Sequence, residues 1–238
     1  MELSLAVRRR AVRPEAAADV VAAPVEPSPP AEPAGATVGP VTTPTAEQPP
    51  AGGPRRTYLL VDGENLDATL GNNVLGGRRP APEERPRWDR VRGWLEQEWG
   101  QPVQGLFFLN AGNGLPLSFV QALLALDYRP IPLSGAPGEK VVDIAIQRTL
   151  EALEGREGDV LLGSHDRDFL PQVQRLVEAG GRRVGLLGFR EFVSSGYTEL
   201  LDKGLQVFDL EDEVRAFNAV LPRVRIIPLA DFDPLRYL

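Results

Sequence analysis

From Thr57 onward, short apolar runs alternate with segments in which apolar residues recur every three or four positions. The runs at 57–61, 105–109, 129–133, 159–163 and 183–187 mostly lack polar alternation and are bounded by Gly, Asp or Pro. That pattern predicts strands buried on both faces of a parallel sheet. Between them, Trp88, Val91, Leu95 and Trp99 fall on one helical face, as do Val120, Leu123 and Leu124 ahead of Asp127-Tyr128. Val142, Ile146, Leu150 and Leu153 form a third stripe. Leu170, Val173, Leu176 and Val177 form a fourth, closed by Gly180-Gly181. Strand–helix alternation at this spacing predicts an α/β fold with a doubly wound, mainly parallel sheet.

Two regions depart from the rhythm. Residues 71–87 are rich in Gly, Pro and Arg, a long connection for a compact domain. Arg78, Arg79, Arg85 and Arg87 lie in it, with Arg90 and Arg92 on the next helix. An ordinary solvated loop and a phosphate-contacting rim are equally open readings. The first 56 residues hold 11 of the 23 prolines and no aromatic residue. Ala, Pro and Val without periodicity bury too little apolar surface to offset the entropy of ordering, so residues 1–56 are expected to be a disordered tail. About 180 residues remain, enough for one well-cored domain.

The tail's six Arg balance its six acidic residues, so the rest of the chain carries the net charge of -7. Coating nucleic acid through bulk positive charge is thereby excluded, whereas local basic patches beside an acidic site are not. With no cysteine and one histidine, thiolate chemistry and His-rich zinc sites are excluded. Arg8-Arg9-Arg10 has no apolar segment behind it, and no stretch approaches 18 apolar residues. The expectation is a cytoplasmic protein with no membrane span. The oligomeric state stays open, a homodimer included.

The acids carry the chemistry. Asp62 follows the first strand; Asp166 and Asp168 follow the fourth. Asp143 sits in the apolar stretch Val141 to Ile146, at the start of the helix leading into that fourth strand. The carboxyl ends of parallel strands share one edge, where ligands bind, so residues far apart in sequence converge there. Separately, Asp62 or Asp166 reads as a helix cap and Asp143 as an ion-pair partner of Lys140 or of an Arg. Together, four acids at one edge suggest a hard divalent cation, Mg²⁺ or Mn²⁺. Asn65 can orient water or phosphate. Lys140 can pair with Asp143 or hold a phosphate. His165 reads as a residue that packs beside the site or supports its ligands rather than as a ligand itself. Asp231 and Asp233 read as surface or turn residues. Without an ion the carboxylates repel one another, so neutralising Asp168 is expected to raise the melting temperature in EDTA.

The ordered motifs Val61-Asp62-Gly63-Glu64-Asn65-Leu66, Lys140-Val141-Val142-Asp143 and Gly163-Ser164-His165-Asp166-Arg167-Asp168-Phe169-Leu170-Pro171 resemble the NYN domain. That family is a branch of the PIN-like ribonuclease superfamily. The resemblance runs from about Thr57 to about Leu210, with the segment Leu200 to Leu210 resembling the family's last strand. Residues 57–210 would thus be the nuclease domain and 211–238 a C-terminal extension. The resemblance implies a PIN-like Rossmannoid fold and metal-dependent RNA cleavage, endonucleolytic in the favoured form. Asp62, Asp143, Asp166 and Asp168 would form the acidic cluster and Asn65 its polar partner. His165 stands where the family usually has Gly.

On this reading RNA is the substrate and partner, in single-stranded or looped form. Lys140, Arg78 and Arg79 would contact its backbone. The competing reading is a catalytically weak RNA-binding or scaffolding module of the same fold. A haloacid-dehalogenase-type phosphatase needs Asp-x-Asp after the first strand, and Asp62-Gly63-Glu64 does not supply it.

Overall fold

A computed structural model describes residues 55–112, 114–222, 229, 232–236 and 238. Six strands form one all-parallel sheet in the order β3-β2-β1-β4-β5-β6. They are β1 (Thr57–Asp62), β2 (Val103–Asn110), β3 (Tyr128–Leu133), β4 (Asp159–Gly163), β5 (Val184–Gly188) and β6 (Gln206–Asp209). The helices are α1 (Gly63–Thr69), α2 (Trp88–Trp99), α3 (Leu117–Ala125), α4 (Val141–Glu154), α5 (Leu170–Ala179) and the short α6 (Thr198–Leu201). The doubly wound α/β expectation holds, and the sheet is parallel throughout.

Alternation of side chains along each strand splits the core in two. Leu59 and Val61 of β1 face one layer with Phe107, Leu66 of α1 and the four α2 residues Trp88, Val91, Leu95 and Trp99. Leu60 faces the other with Phe108, Leu162, the α4 stripe Val142, Ile146, Leu150 and Leu153, and Val173 and Leu176 of α5. The periodicity marks these same positions of α2, α4 and α5. Gly63 opens α1 where a Cβ would collide with the Phe107 ring, so helix and sheet meet too closely for any other residue. At α3 the stripe differs: Leu123 is buried but Leu124 is 58% exposed. β3 is an edge strand, so α3 has sheet beneath it on one side and solvent on the other. Within β3, Pro130 and Pro132 sit two residues apart.

The packed unit also extends beyond the boundaries read from sequence. Of the expected tail, Arg55 and Arg56 are described, while residues 1–54 lie outside the described residues. Arg55 Nη2 pairs with Asp159 Oδ1 at 2.6 Å, and the Arg56 carbonyl accepts the Asp159 N–H at 3.0 Å. Asp159 is fully buried and also accepts from Arg183 Nε (2.6 Å) and Gln101 Nε2 (2.7 Å). These partners hold its carboxyl below the usual range against the opposing pull of burial. Past Leu210, Val214, Ala216, Phe217 and Leu221 are buried in the α1–α2 layer. The Ala216 carbonyl accepts the Arg87 N–H at 2.7 Å. Asp231 lies outside the described residues; Asp233 is a turn residue, accepting the Leu235 N–H at 3.0 Å.

Candidate functional site

The strand order reverses direction between β1 and β4, and open α/β sheets bind ligands at such a switch point. Asp62 closes β1 there. It is 2% exposed, and its Oδ1 caps α1 by accepting the Asn65 N–H at 3.1 Å. Its Oδ2 accepts from the Ser164 hydroxyl at 3.1 Å. Ser164, directly after β4, is itself buried, and its oxygen accepts the Asp166 N–H at 3.2 Å. One hydroxyl thus ties the ends of the two central strands together. Burial pushes the Asp62 carboxyl up to about 6, partly offset by the Asn65 and Ser164 hydrogen bonds and reinforced by the charges of Asp143 and Asp166.

Above it stand the other acids. Asp143 lies in the first turn of α4 and is half-buried. Asp166 Oδ1 caps the following turn by accepting the Asp168 N–H at 2.9 Å, while the buried Tyr197 hydroxyl donates to the Asp166 carbonyl at 2.6 Å. Gln147 of α4 donates to the Asp168 carbonyl at 3.0 Å. These ties bring one carboxylate oxygen each from Asp143, Asp166 and Asp168 within 4.8 Å of one another, an arrangement able to hold a cation. Asp62 is not in this group. Both its oxygens are engaged with the scaffold, so it lies beside the cluster as a buried charge rather than as a fourth open ligand.

Lys140 joins the cluster. Its Nζ lies 3.0 Å from Asp168 Oδ2 and 3.2 Å from Asp143 Oδ2. Hydrogen bonds to the two carboxylates raise the ammonium's pKa above its ordinary value. This pairing removes the basis for expecting Asp168→Asn to be stabilising in EDTA. The substitution would relieve repulsion but also strip Lys140 of its nearer partner. The larger charge penalty lies at Asp62, where burial is the main cause and the charges of Asp143 and Asp166 add to it.

His165 packs on Phe189 and supports Asn65 rather than offering a ligand. Its ring stacks on Phe189 with centroids 5.8 Å apart, and its Nε2 accepts the Phe189 N–H at 2.7 Å. The ring proton therefore sits on Nδ1, 3.1 Å from Asn65 Oδ1. The His165 backbone N–H donates to the same oxygen at 2.9 Å. Burial drives the imidazole down to about 4, so it is neutral at ordinary pH. A Cβ at Gly188 would collide with this ring, so the glycine makes room for it. With Oδ1 committed twice, Asn65 keeps its amide NH₂ without a hydrogen-bond partner among the described residues.

The loop arginines separate into two groups. Arg78 is bound bidentately by Glu84, Arg85 pairs with Asp67 at 2.8 Å and Arg87 with Asp89 at 3.2 Å. Arg79 is exposed and forms no ion pair among the described residues. With Arg78, Asn72 and Asp67 it lines an open groove of about 310 Å³ beside α1. The rim read from sequence is mostly self-paired, and Arg79 is its free member. Ser164 is the residue sequence reasoning passed over. Its only signal was its place in the Gly163-Ser164-His165-Asp166 run.

No protein-family model matches this chain, and no curated protein matches it. Among solved structures it is similar to a protein of unknown function from Vibrio parahaemolyticus, with a TM-score of 0.52 at 17% sequence identity. The match covers 69% of this chain and 98% of the other. At that identity the likeness speaks for the α/β fold alone. Among the described residues no helix is long and apolar enough to cross a membrane.

Proposed function

We propose that this chain is a metal-dependent ribonuclease of the NYN type acting in the cytoplasm. The observation that carries the reading is the convergence of Asp143, Asp166 and Asp168 at the switch point of a parallel sheet. Three carboxylates with oxygen donors fit a hard divalent ion such as Mg²⁺ or Mn²⁺, and the Lys140 ammonium already lodged against two of them stands in for one. Such an ion, when bound, lowers the pKa of a coordinated water and neutralises charge on a phosphate. The chain's own groups do the rest. Asp62 and Ser164 fix the cluster's floor, the Asn65 amide donates to a water or phosphate oxygen, and Arg79 holds the flanking backbone. The test is cleavage of structured and unstructured RNA with Mn²⁺, Mg²⁺ or EDTA. Activity in either metal that EDTA and Asp143→Asn both remove supports the reading; cleavage unaffected by Asp143→Asn refutes it.

A second reading, an RNA-binding or scaffolding module with little catalysis, is favoured by one observation. Each acid has a partner within the chain: Asp62 and Asp166 cap turns, and Asp143 and Asp168 pair with Lys140. RNA binding without metal-dependent cutting would select it.

A further inference from the structure

Among the described residues, Lys140 is the sole cationic side chain paired with the acid cluster. Arg167, between Asp166 and Asp168 in sequence, forms no ion pair among them. Lys140 stands at the residue before α4, and its side chain is 67% exposed, so a flexible four-carbon stem carries the ammonium in from outside. The ammonium meets the Oδ2 atoms of both Asp143 and Asp168, and Asp143 and Asp168 each contribute to the trio of close carboxylates.

We infer that Lys140 is a tethered counter-ion that occupies the cluster in the metal-free protein and competes with a divalent ion for it. This rests on the metal-site reading above. A single positive charge on a solvated stem neutralises part of the repulsion among three carboxylates and holds Asp143 and Asp168 together. Ion entry requires the ammonium to leave, and an exposed pair is weak enough to yield. Lys140 therefore lowers the apparent metal affinity of the resting protein. Once displaced, its charge is free at the rim where a phosphate would arrive.

The experiment is Mn²⁺ titration of the full chain by calorimetry, for the parent, Lys140→Met, Lys140→Arg and Asp143→Asn, without RNA. Exposed ion pairs of this kind correspond to a roughly threefold to fivefold change in Kd. Lys140→Met is expected to bind Mn²⁺ tighter by about that factor, and Lys140→Arg to stay near the parent because the charge remains. Melting curves in EDTA check that the variants fold, which the exposure of the side chain leads one to expect. Equal or weaker binding by Lys140→Met would overturn the competition while leaving the metal site standing, provided Asp143→Asn loses Mn²⁺. Absence of Mn²⁺ binding in every protein would overturn the metal site and the role of Lys140 together.

Discussion

Asp62→Asn should stabilise the metal-free protein, with a gain that grows from about pH 4.5 and is complete above about pH 6. In the folded chain the carboxyl titrates at about 6 rather than 3.8. Between those values the folded state holds a proton that the unfolded state has released. Stability therefore falls as pH rises through this window and is flat above it. A rise of a little over two pH units, at about 1.4 kcal/mol each, comes to about 3 kcal/mol of penalty at pH 7.5. The isosteric amide escapes this charge penalty and still caps α1 through its oxygen. It does cost something at Ser164, whose hydroxyl loses the acceptor at 3.1 Å. An unplaced hydroxyl proton costs about 1 kcal/mol. The variant should thus be about 2 kcal/mol more stable than the parent at pH 7.5, or about 4–8 °C in Tm for a domain of this size. Near pH 4 it should be slightly less stable. Urea denaturation of both proteins in EDTA across pH 4–8 measures the difference, in which other titrating groups cancel. A difference independent of pH, or a parent more stable at pH 7.5, would refute the argument.

Other outcomes follow from the same contacts. Asp166→Asn should abolish metal-dependent RNA cleavage, assayed beside Asp143→Asn, since both remove charge from the close trio. Arg79→Ala should reduce the slope of log affinity for single-stranded RNA against log salt by about 0.7, the loss of one phosphate contact. Arg78→Ala should change it less, because Glu84 already neutralises that guanidinium. A chain starting at Arg55 should melt with the full-length protein. One starting at Thr57 should melt lower, having lost a pair to the buried Asp159, with about 1 kcal/mol at stake in chemical denaturation.

The sheet and its helices were legible because both obey periodicity: strands buried on two faces read as apolar runs, and α2, α4 and α5 show clean stripes. Asp143, Asp166 and Asp168 were legible because topology alone brings strand ends and a helix start to one edge. What the sequence hid was commitment. Nothing in the string distinguishes Arg79 from Arg78, since a glutamate six residues on decides which is spent. Nor does it say that Asp62 turns both oxygens inward, or that Ser164 receives one of them. The reach of the domain to Arg55 and Leu221 was equally hidden, because those contacts are made by single residues rather than by a repeating pattern. At α3 the periodicity argument misplaced Leu124, since it presumes a neighbour on the far side that an edge strand does not have.

The two prolines of β3 have a consequence for how this protein behaves when crowded. Alternate residues of a strand aim their backbone groups to the same side, so Pro130 and Pro132 both take donors from the side facing away from β2. That rim cannot template a further strand, and a parallel sheet that folds slowly needs such protection while its margin is bare. Copies of the chain meeting there have no ladder to continue. Contact would fall to side chains such as Leu117 and Leu124, which release far more readily than a run of backbone hydrogen bonds.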